Sequence, residues 1–285
     1  MAADPARAGQ GCDLGLSPAA EQVRRDDPVL FRTALYAREP ARARLMTLYA
    51  VDIELSRATE KTLKTGAGPL IAQMRLQWWR DRAEAARAGE PAADHPIAGP
   101  AHLLFATLPA ALVDGLIEAR ERELDGIHED TDFAAWRRQR FEGLTRLGLR
   151  ILSPQPLPET DRTAEAVGAA IGTAFALRHA QAMARQGVFL LPGLDAEGRS
   201  RLARGEAWPS LQARAKDLAG EALERLAEAR KVSKPPRSTL PALLPLAAAE
   251  PALRAASVGK NPAAAKLGTA RLTLALLWRA VTGRW

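Results

Sequence analysis

Hydrophobic residues along most of this chain recur every three or four positions, which is the period of an amphipathic α-helix. In one such run Leu45, Leu48, Tyr49, Ile53 and Leu55 follow one another at this spacing. No convincing run of alternating β-branched residues indicates a strand. The pattern therefore predicts an all-α protein in which one helix follows another.

Prolines, glycines and acidic residues predict where these helices begin and end. Asp27 stands next to a proline and predicts a helix N-cap, and Gly187 predicts the end of a long helix over about 161–185. Residues 1–20 are rich in Ala, Gly, Asp and Pro without a period, so we expect a disordered N-terminal segment. Because the helix over 161–185 is apolar enough to require burial, residues 21–285 are predicted to form one domain.

Charge and cysteine content limit which binding partners and which cellular compartment we expect for this protein. The net charge of +7 favours anionic partners, including an acidic membrane surface. The chain has neither zinc-finger spacing nor a basic strand interleaved with aromatic residues, so we expect no nucleic-acid partner. Cys12 is the only cysteine, which fits a reducing compartment, and no segment has the roughly 18 consecutive apolar residues of a membrane span. We therefore expect a cytoplasmic protein, or one that lies peripherally on the inner face of a membrane.

The most unusual feature of the polarity pattern is a long stretch without acidic residues. Residues 166–194 contain no Asp or Glu, although 33 acidic residues are spread over the chain. This stretch reads as a helix that runs into a loop ending near Pro192. The stretch itself therefore offers no carboxylate pair, which argues against chemistry that would need one there.

Three segments occur in an order that matches a known family. They are LYAVDIELSRATE at 48–60, LIAQMRLQWWRD at 70–81, and the acid-free helix, which has Gly172 in its middle and ends in VFLLP at 188–192. Together they resemble the squalene/phytoene synthase family over roughly residues 26–280. The resemblance implies a single-domain, isoprenoid-synthase-like helical bundle around a central cavity. In that family two aspartate-rich motifs hold magnesium ions, which offset the charge of a leaving diphosphate when two prenyl diphosphates are joined.

The first of these motifs is only partly represented in the chain. Counted from the LYA start, the family's first aspartates fall on Ser56 and Arg57, and Glu60 is the one acid at the motif's end. Asp52, Ser56 and Glu60 are four residues apart and could share a helix face, so a displaced site for a single metal ion is one interpretation. The interpretation that we favour is that these acids and Glu54 are solvated or pair with Arg57 or a neighbouring lysine.

The second motif has lost its acids. The family's asparagine falls on His179 and its first aspartate on Met183, and no acid lies close enough for a shift of register to restore the motif. His179 could carry a proton or contact a diphosphate beside Arg178, or it could be a polar residue in a partly closed cavity. The candidate cavity or anion contacts are Tyr49, Arg75, Trp78, Phe175 and Arg178. For Trp78 and its neighbour the alternative is core packing.

A branch of the family without catalytic activity matches more closely than the synthases do. It includes a mitochondrial assembly factor of respiratory complex I (NADH:ubiquinone oxidoreductase), which the YAVDIEL segment at 49–55 and the RLQWWRD segment at 75–81 resemble. The resemblance implies a non-catalytic protein without cofactor or catalytic residues. Its expected partners are respiratory complex assembly intermediates or a prenyl or lipid ligand. The alternatives are an active magnesium-dependent prenyltransferase that makes squalene, phytoene or a hopanoid precursor, and a helical lipid-binding scaffold with another client.

Overall fold

A computed structural model of the chain describes residues 16–65, 69–153, 155 and 158–285, with the side chains of 60–65, 158 and 159 left out. Within these ranges the regular structure is helical and contains no strand. The helices are α1 Pro18–Asp26, α2 Pro28–Ala34, α3 Ala41–Thr65, α4 Pro69–Arg87, α5 Ala98–Phe105, α6 Ala110–Asp125, α7 Asp130–Arg137, a π-helical turn Arg138–Glu142, α8 Gly143–Leu152, α9 Pro158–Ala184, α10 Ala196–Arg204, α11 Pro209–Val232, a 3₁₀ turn Arg237–Thr239, α12 Leu240–Leu243, α13 Leu246–Ser257 and α14 Thr269–Thr282. The all-α fold class predicted from the sequence is confirmed.

The N-terminal helix corrects one expectation. Residues 1–15 lie outside the described residues, but α1 begins at Pro18, inside the segment 1–20 that composition suggests to be disordered. The Ser17 hydroxyl oxygen accepts a hydrogen bond from Ala20 N, and Val23 is fully buried where α1 packs on α3. A cap and a small apolar face are enough to order a helix that composition alone does not reveal.

Two hydrophobic clusters form the core and leave a space between them. One is built mainly from α1 to α6, and the other from α7, α9, α11 and α13. The helix α9 lies at the centre of the second cluster, where it packs against α8, α10, α11, α13 and the π-helical turn. Because α8 packs against both α3 and α9, it joins the two clusters.

The π-helical turn lies in near backbone contact with α9. A Cβ atom on Gly168 would stand 2.4 Å from Glu142 Cα, and a Cβ on Gly172 would stand 2.8 Å from Phe141 Cδ2. Only glycine permits so close an approach of two helices. The sequence pattern predicts a single regular helix from about 130 to 152, and the π turn is a local widening that periodicity does not reveal.

No helix among the described residues combines the length and the apolar character needed to cross a bilayer.

Candidate functional site

A cavity of about 290 Å³ lies between the two hydrophobic clusters, and residues of both form its wall. The apolar part of the wall comes from α2, α8, α9, α12, α13 and the π-helical turn, and it includes Leu30, Phe141, Leu144, Ile171 and Phe175. The polar part consists of Asp27, Tyr49, Asp52, Arg140, Thr145, Arg178 and His179. The cavity is therefore mostly apolar, with a few polar groups, as is typical of sites for small ligands.

A chain of buried ion pairs connects two residues of the cavity wall, Asp52 and Arg140. Arg120 Nη2 donates to Asp52 Oδ1 at 2.7 Å, and Arg120 Nη1 lies 3.1 Å from Glu123 Oε2. Arg140 Nη1 donates to Glu123 Oε1 at 2.6 Å. The same oxygen of Glu123 accepts a hydrogen bond from Trp136 Nε1 at 2.9 Å. The four charged groups form a neutral chain that starts and ends at the cavity wall.

Neighbouring charges favour the ionised forms of Glu123 and Arg120 although both residues are buried. Burial alone would raise the pKa of Glu123, but Arg120 and Arg140 hold that pKa below its ordinary value. Burial would lower the pKa of Arg120, whose side chain is only 2% exposed, but Glu123 and Asp52 raise it instead. Removal of one partner from such a network leaves an uncompensated charge in the core.

Arg140 also contacts the aromatic side of the cavity. Its guanidinium carbon lies 4.3 Å from the ring centroid of Phe175 and 4.6 Å from that of Phe141. Burial lowers the pKa of Arg140, and the positive charge of Arg120 lowers it further. The π-helical turn brings both Arg140 and Phe141 to the cavity, one for the ion-pair chain and one for the apolar wall.

Asp27 is a cavity residue that the sequence identifies only as a helix cap. Its Oδ1 accepts hydrogen bonds from Val29 N at 3.0 Å and Leu30 N at 2.9 Å, which confirms the predicted cap. Burial raises the pKa of the Asp27 carboxyl, and the charge of Asp52 raises it further. Tyr49 is buried beside it, and burial together with the charge of Asp27 raises the pKa of the phenol.

The α9 wall of the cavity carries the predicted residues Phe175, Arg178 and His179. The rings of Phe175 and His179 lie 4.6 Å apart. Arg178 Nη2 donates to the backbone carbonyls of Ala248 and Ala265, and burial lowers the pKa of this guanidinium. Arg178 thus ties α9 to α13 and to the loop before α14, and part of its hydrogen-bonding capacity is used inside the protein.

Met183, the position of the lost second-motif aspartate, does not line the cavity. It is partly buried and packs on the cluster formed by α7, α9, α11 and α13. It lies two turns of α9 beyond Phe175, where the helix has left the cavity. The second motif therefore contributes an aromatic ring, a cation and an imidazole to the site, and no carboxylate.

The three candidate residues of the first motif do not form one site in the structure. Asp52 reaches the cavity, whereas the Ser56 hydroxyl donates to the Asp52 backbone carbonyl at 3.1 Å and Ser56 is not part of the cavity wall. The side chain of Glu60 lies outside the described residues. Glu54 pairs with Arg57 at 2.7 Å, as the favoured interpretation predicts, but Asp52 pairs with a residue that this interpretation does not include.

Arg75 and Trp78, two of the candidate cavity or anion contacts, do not line the central cavity. They lie with Glu54, Arg57 and His95 around a separate surface cavity of about 310 Å³. The reason is helical phase: on α4 the buried residues include Leu76 and Trp79, so positions 75 and 78 face outward. Residues of the YAVDIEL segment at 49–55 and of the RLQWWRD segment at 75–81 therefore meet at the molecular surface.

Arg120, Glu123 and Arg140 are residues of the site that sequence reasoning misses. Arg120 and Glu123 are a charged pair three apart on α6, which normally indicates a solvated helix face. Their one distinguishing signal is that they fall among apolar positions such as Leu116 and Ile117 on a helix with a wide buried face. That signal suggests burial but does not identify Asp52 as the partner.

The helices and the cavity between them define an all-α protein of the isoprenoid synthase fold. The fold matches a crystal structure of a dehydrosqualene synthase in complex with ligand, with a TM-score of 0.66 at 15% sequence identity, over 93% of this chain and 94% of that one. A family model described as squalene/phytoene synthase matches residues 23–277. The chain therefore belongs to the squalene/phytoene synthase family, as its motifs predict. No curated protein sequence matches it.

Proposed function

We propose that this protein is a non-catalytic member of its family that assists the assembly of the respiratory NADH:ubiquinone oxidoreductase. We further propose that its central cavity holds a prenyl or lipid chain. The observation that carries the proposal is the bond between Asp52 and Arg120, which uses the cavity-facing carboxylate of α3 for an internal ion pair.

The donor atoms of the cavity wall fit a magnesium ion poorly. Magnesium is held in octahedral geometry by oxygen ligands, usually one or two carboxylates together with water and substrate phosphates. Here Asp52 is neutralised by Arg120, and Asp27, the other acid of the wall, uses one oxygen as a helix cap and has a raised pKa. Opposite them α9 presents a guanidinium and an imidazole rather than carboxylates. This arrangement supports loss of the metal-dependent reaction.

The apolar wall supports retention of a ligand. Phe141, Leu144, Ile171 and Phe175 offer dispersion contacts to a hydrocarbon chain, and Arg140 and Tyr49 lie where a polar end could be bound. Native mass spectrometry and lipid extraction of the purified protein test this part. A prenyl or acyl compound that disappears when Ile171→Trp fills the cavity is the expected result. A protein that carries no extractable lipid would contradict it.

The surface cavity around Trp78 supports a docking role. Its wall combines Glu54 of the YAVDIEL segment with Arg75 and Trp78 of the RLQWWRD segment, so both resembling segments contribute to one exposed site. Aromatic and arginine side chains are the residue types most enriched at the energetic centres of protein interfaces. We propose that an assembly intermediate of the oxidoreductase binds here.

Deletion of the gene tests the assembly role directly. Native gels of the deletion strain should show less assembled NADH dehydrogenase, and the wild-type gene should restore it. A gene for the Trp78→Ala variant should restore little of the assembled NADH dehydrogenase. A gene for Leu103→Ala, which removes an exposed side chain away from this cavity, should restore it fully. An unchanged level of the complex in the deletion strain would rule the role out.

A further inference from the structure

The helix α14 presents a second apolar stripe to solvent. Leu274, Leu277, Trp278 and Val281 are between 50% and 65% exposed, and their spacing of three and four residues places them on one face. The opposite face of α14 carries Leu272 and Leu276, which are buried in a small cluster with Leu244 and Ala247. The helix is therefore attached to the body on one side and offers an equally apolar face outward.

Most of the excess of basic over acidic residues falls in the C-terminal segment that contains this helix. Residues 251–285 contain no acid and carry the cations Arg254, Lys260, Lys266, Arg271, Arg279 and Arg284. Arg254 and Arg279 pair with Glu250, and the other cations are exposed. Most of the net charge of +7 thus belongs to this C-terminal segment.

Two arginines border the apolar stripe. Arg271 lies one turn before Leu274 on the same side of α14, and the guanidinium carbon of Arg284 lies 5.1 Å from the ring centroid of Trp278. An apolar face with a tryptophan and flanking arginines is the composition of helices that lie in a lipid headgroup layer. Their charged ends remain at the headgroups while the apolar side chains enter the acyl boundary.

We propose that α14 docks this protein on an anionic lipid bilayer, with the stripe Leu274–Leu277–Trp278–Val281 inserted below the headgroups. Charge complementarity favours an anionic bilayer as the partner of this helix, because each basic residue near an anionic surface adds to the attraction. A second copy of the chain would bring two acid-free, basic surfaces together, and their like charges would repel. The proposal concerns the outward face of α14, which does not line the central cavity, and it holds whether or not the assembly role is correct.

Vesicle flotation of the full chain tests the proposal. We expect binding to vesicles of phosphatidylcholine and phosphatidylglycerol in equal parts, and much weaker binding to phosphatidylcholine alone. Binding should fall with added salt, because the electrostatic part is screened. The double variant Leu277→Gln with Trp278→Gln should weaken binding at least about tenfold, since it removes half of the inserted face.

A matched control is available on α4. Leu70 and Met74 are 67% and 64% exposed, so Leu70→Gln with Met74→Gln removes as much exposed apolar surface without touching α14. This control should float like the wild type, and circular dichroism should show the same helix content for all three proteins. Equal loss in both double variants, or no binding of the wild type to anionic vesicles, would overturn the proposal. So would a dimer in sedimentation that only the α14 variant dissociates, because the stripe would then bind a second copy.

Discussion

Arg120 Nη2 lies 2.7 Å from Asp52 Oδ1 in the interior of the protein, and it also donates to the Asp52 backbone carbonyl at 3.2 Å. The two residues are separated by 68 positions in the chain. The bond ties α6 to α3 at the wall of the central cavity. It gives the acid of the altered first motif a structural partner, and it underlies the interpretation of the cavity as a site without metal chemistry.

Removal of Arg120 should be severely destabilising. Arg120→Leu leaves Asp52 and Glu123 without their shared cation in the core, which typically costs about 3–5 kcal/mol of unfolding free energy. Arg57→Leu is the control, because Arg57 is partly exposed and its pairs should contribute at most about 1 kcal/mol. Urea unfolding of both variants measures the difference. Equal losses of unfolding free energy would mean that the buried ion pairs of Arg120 contribute no more to stability than the partly exposed pairs of Arg57.

Gly168 should not tolerate even an alanine. The added Cβ would meet the backbone of Glu142 at 2.4 Å, so α9 and the π-helical turn would have to separate. We expect a loss of about 1–3 kcal/mol, as for other overpacked sites. Gly220→Ala on α11 is the matched control: its Cβ meets nothing within 4 Å, and the change should be neutral or stabilising by up to about 1 kcal/mol. The melting temperatures of Gly168→Ala and Gly220→Ala, each compared with that of the wild type, test this prediction.

Because the pKa of Glu142 is raised in the folded protein, we expect the free energy of unfolding to decrease as the pH rises through neutrality. Burial and the nearby charge of Glu165 raise the pKa of its carboxyl from 4.5 to about 7 in the folded protein. A raised pKa means that the folded state favours the protonated acid. The stability from this group is therefore fully present below pH 4.5 and is lost as the pH rises through about 7.

The substitution Glu142→Gln should remove that dependence. Relative to the wild type, the variant should gain stability between about pH 5 and 8, by about 2 kcal/mol at the upper end. Glu165→Gln should act more weakly, because it lowers the pKa of Glu142 without removing the carboxyl. Chemical unfolding across this pH range provides the measurement. Parallel curves for the wild type and Glu142→Gln would show that Glu142 ionises freely in the folded protein.

Local patterns predict much of the fold and only part of the site. The spacing of Phe175, Arg178 and His179 at three and four residues places them on one face of α9, and all three line the cavity. Residues adjacent in the sequence are harder to assign. Trp78 and Trp79 point about 100° apart on α4, and periodicity does not specify which of them is buried. In the structure it is Trp79, whose ring packs against Phe105 on α5.

The rest of the site depends on contacts between distant parts of the chain. Asp27 is recognisable as a cap from its neighbours, but its position at the cavity follows from how α2 packs on α3. Asp52 has nearby arginines in sequence, yet its partner comes from α6. A local rule favours pairs three or four residues apart, and it fails where burial makes a distant cation the better partner.

Diphosphate release tests the central claim most directly. The purified protein is incubated with farnesyl or geranylgeranyl diphosphate and magnesium, and released diphosphate is quantified beside Asp52→Asn and Asp27→Asn variants. Because Asp52 is neutralised by Arg120 and α9 presents no carboxylate to the cavity, we predict no release above the protein-free background for any of the three proteins. Magnesium-dependent release by the wild type that is lost in Asp52→Asn would contradict the account and identify the protein as an active prenyltransferase.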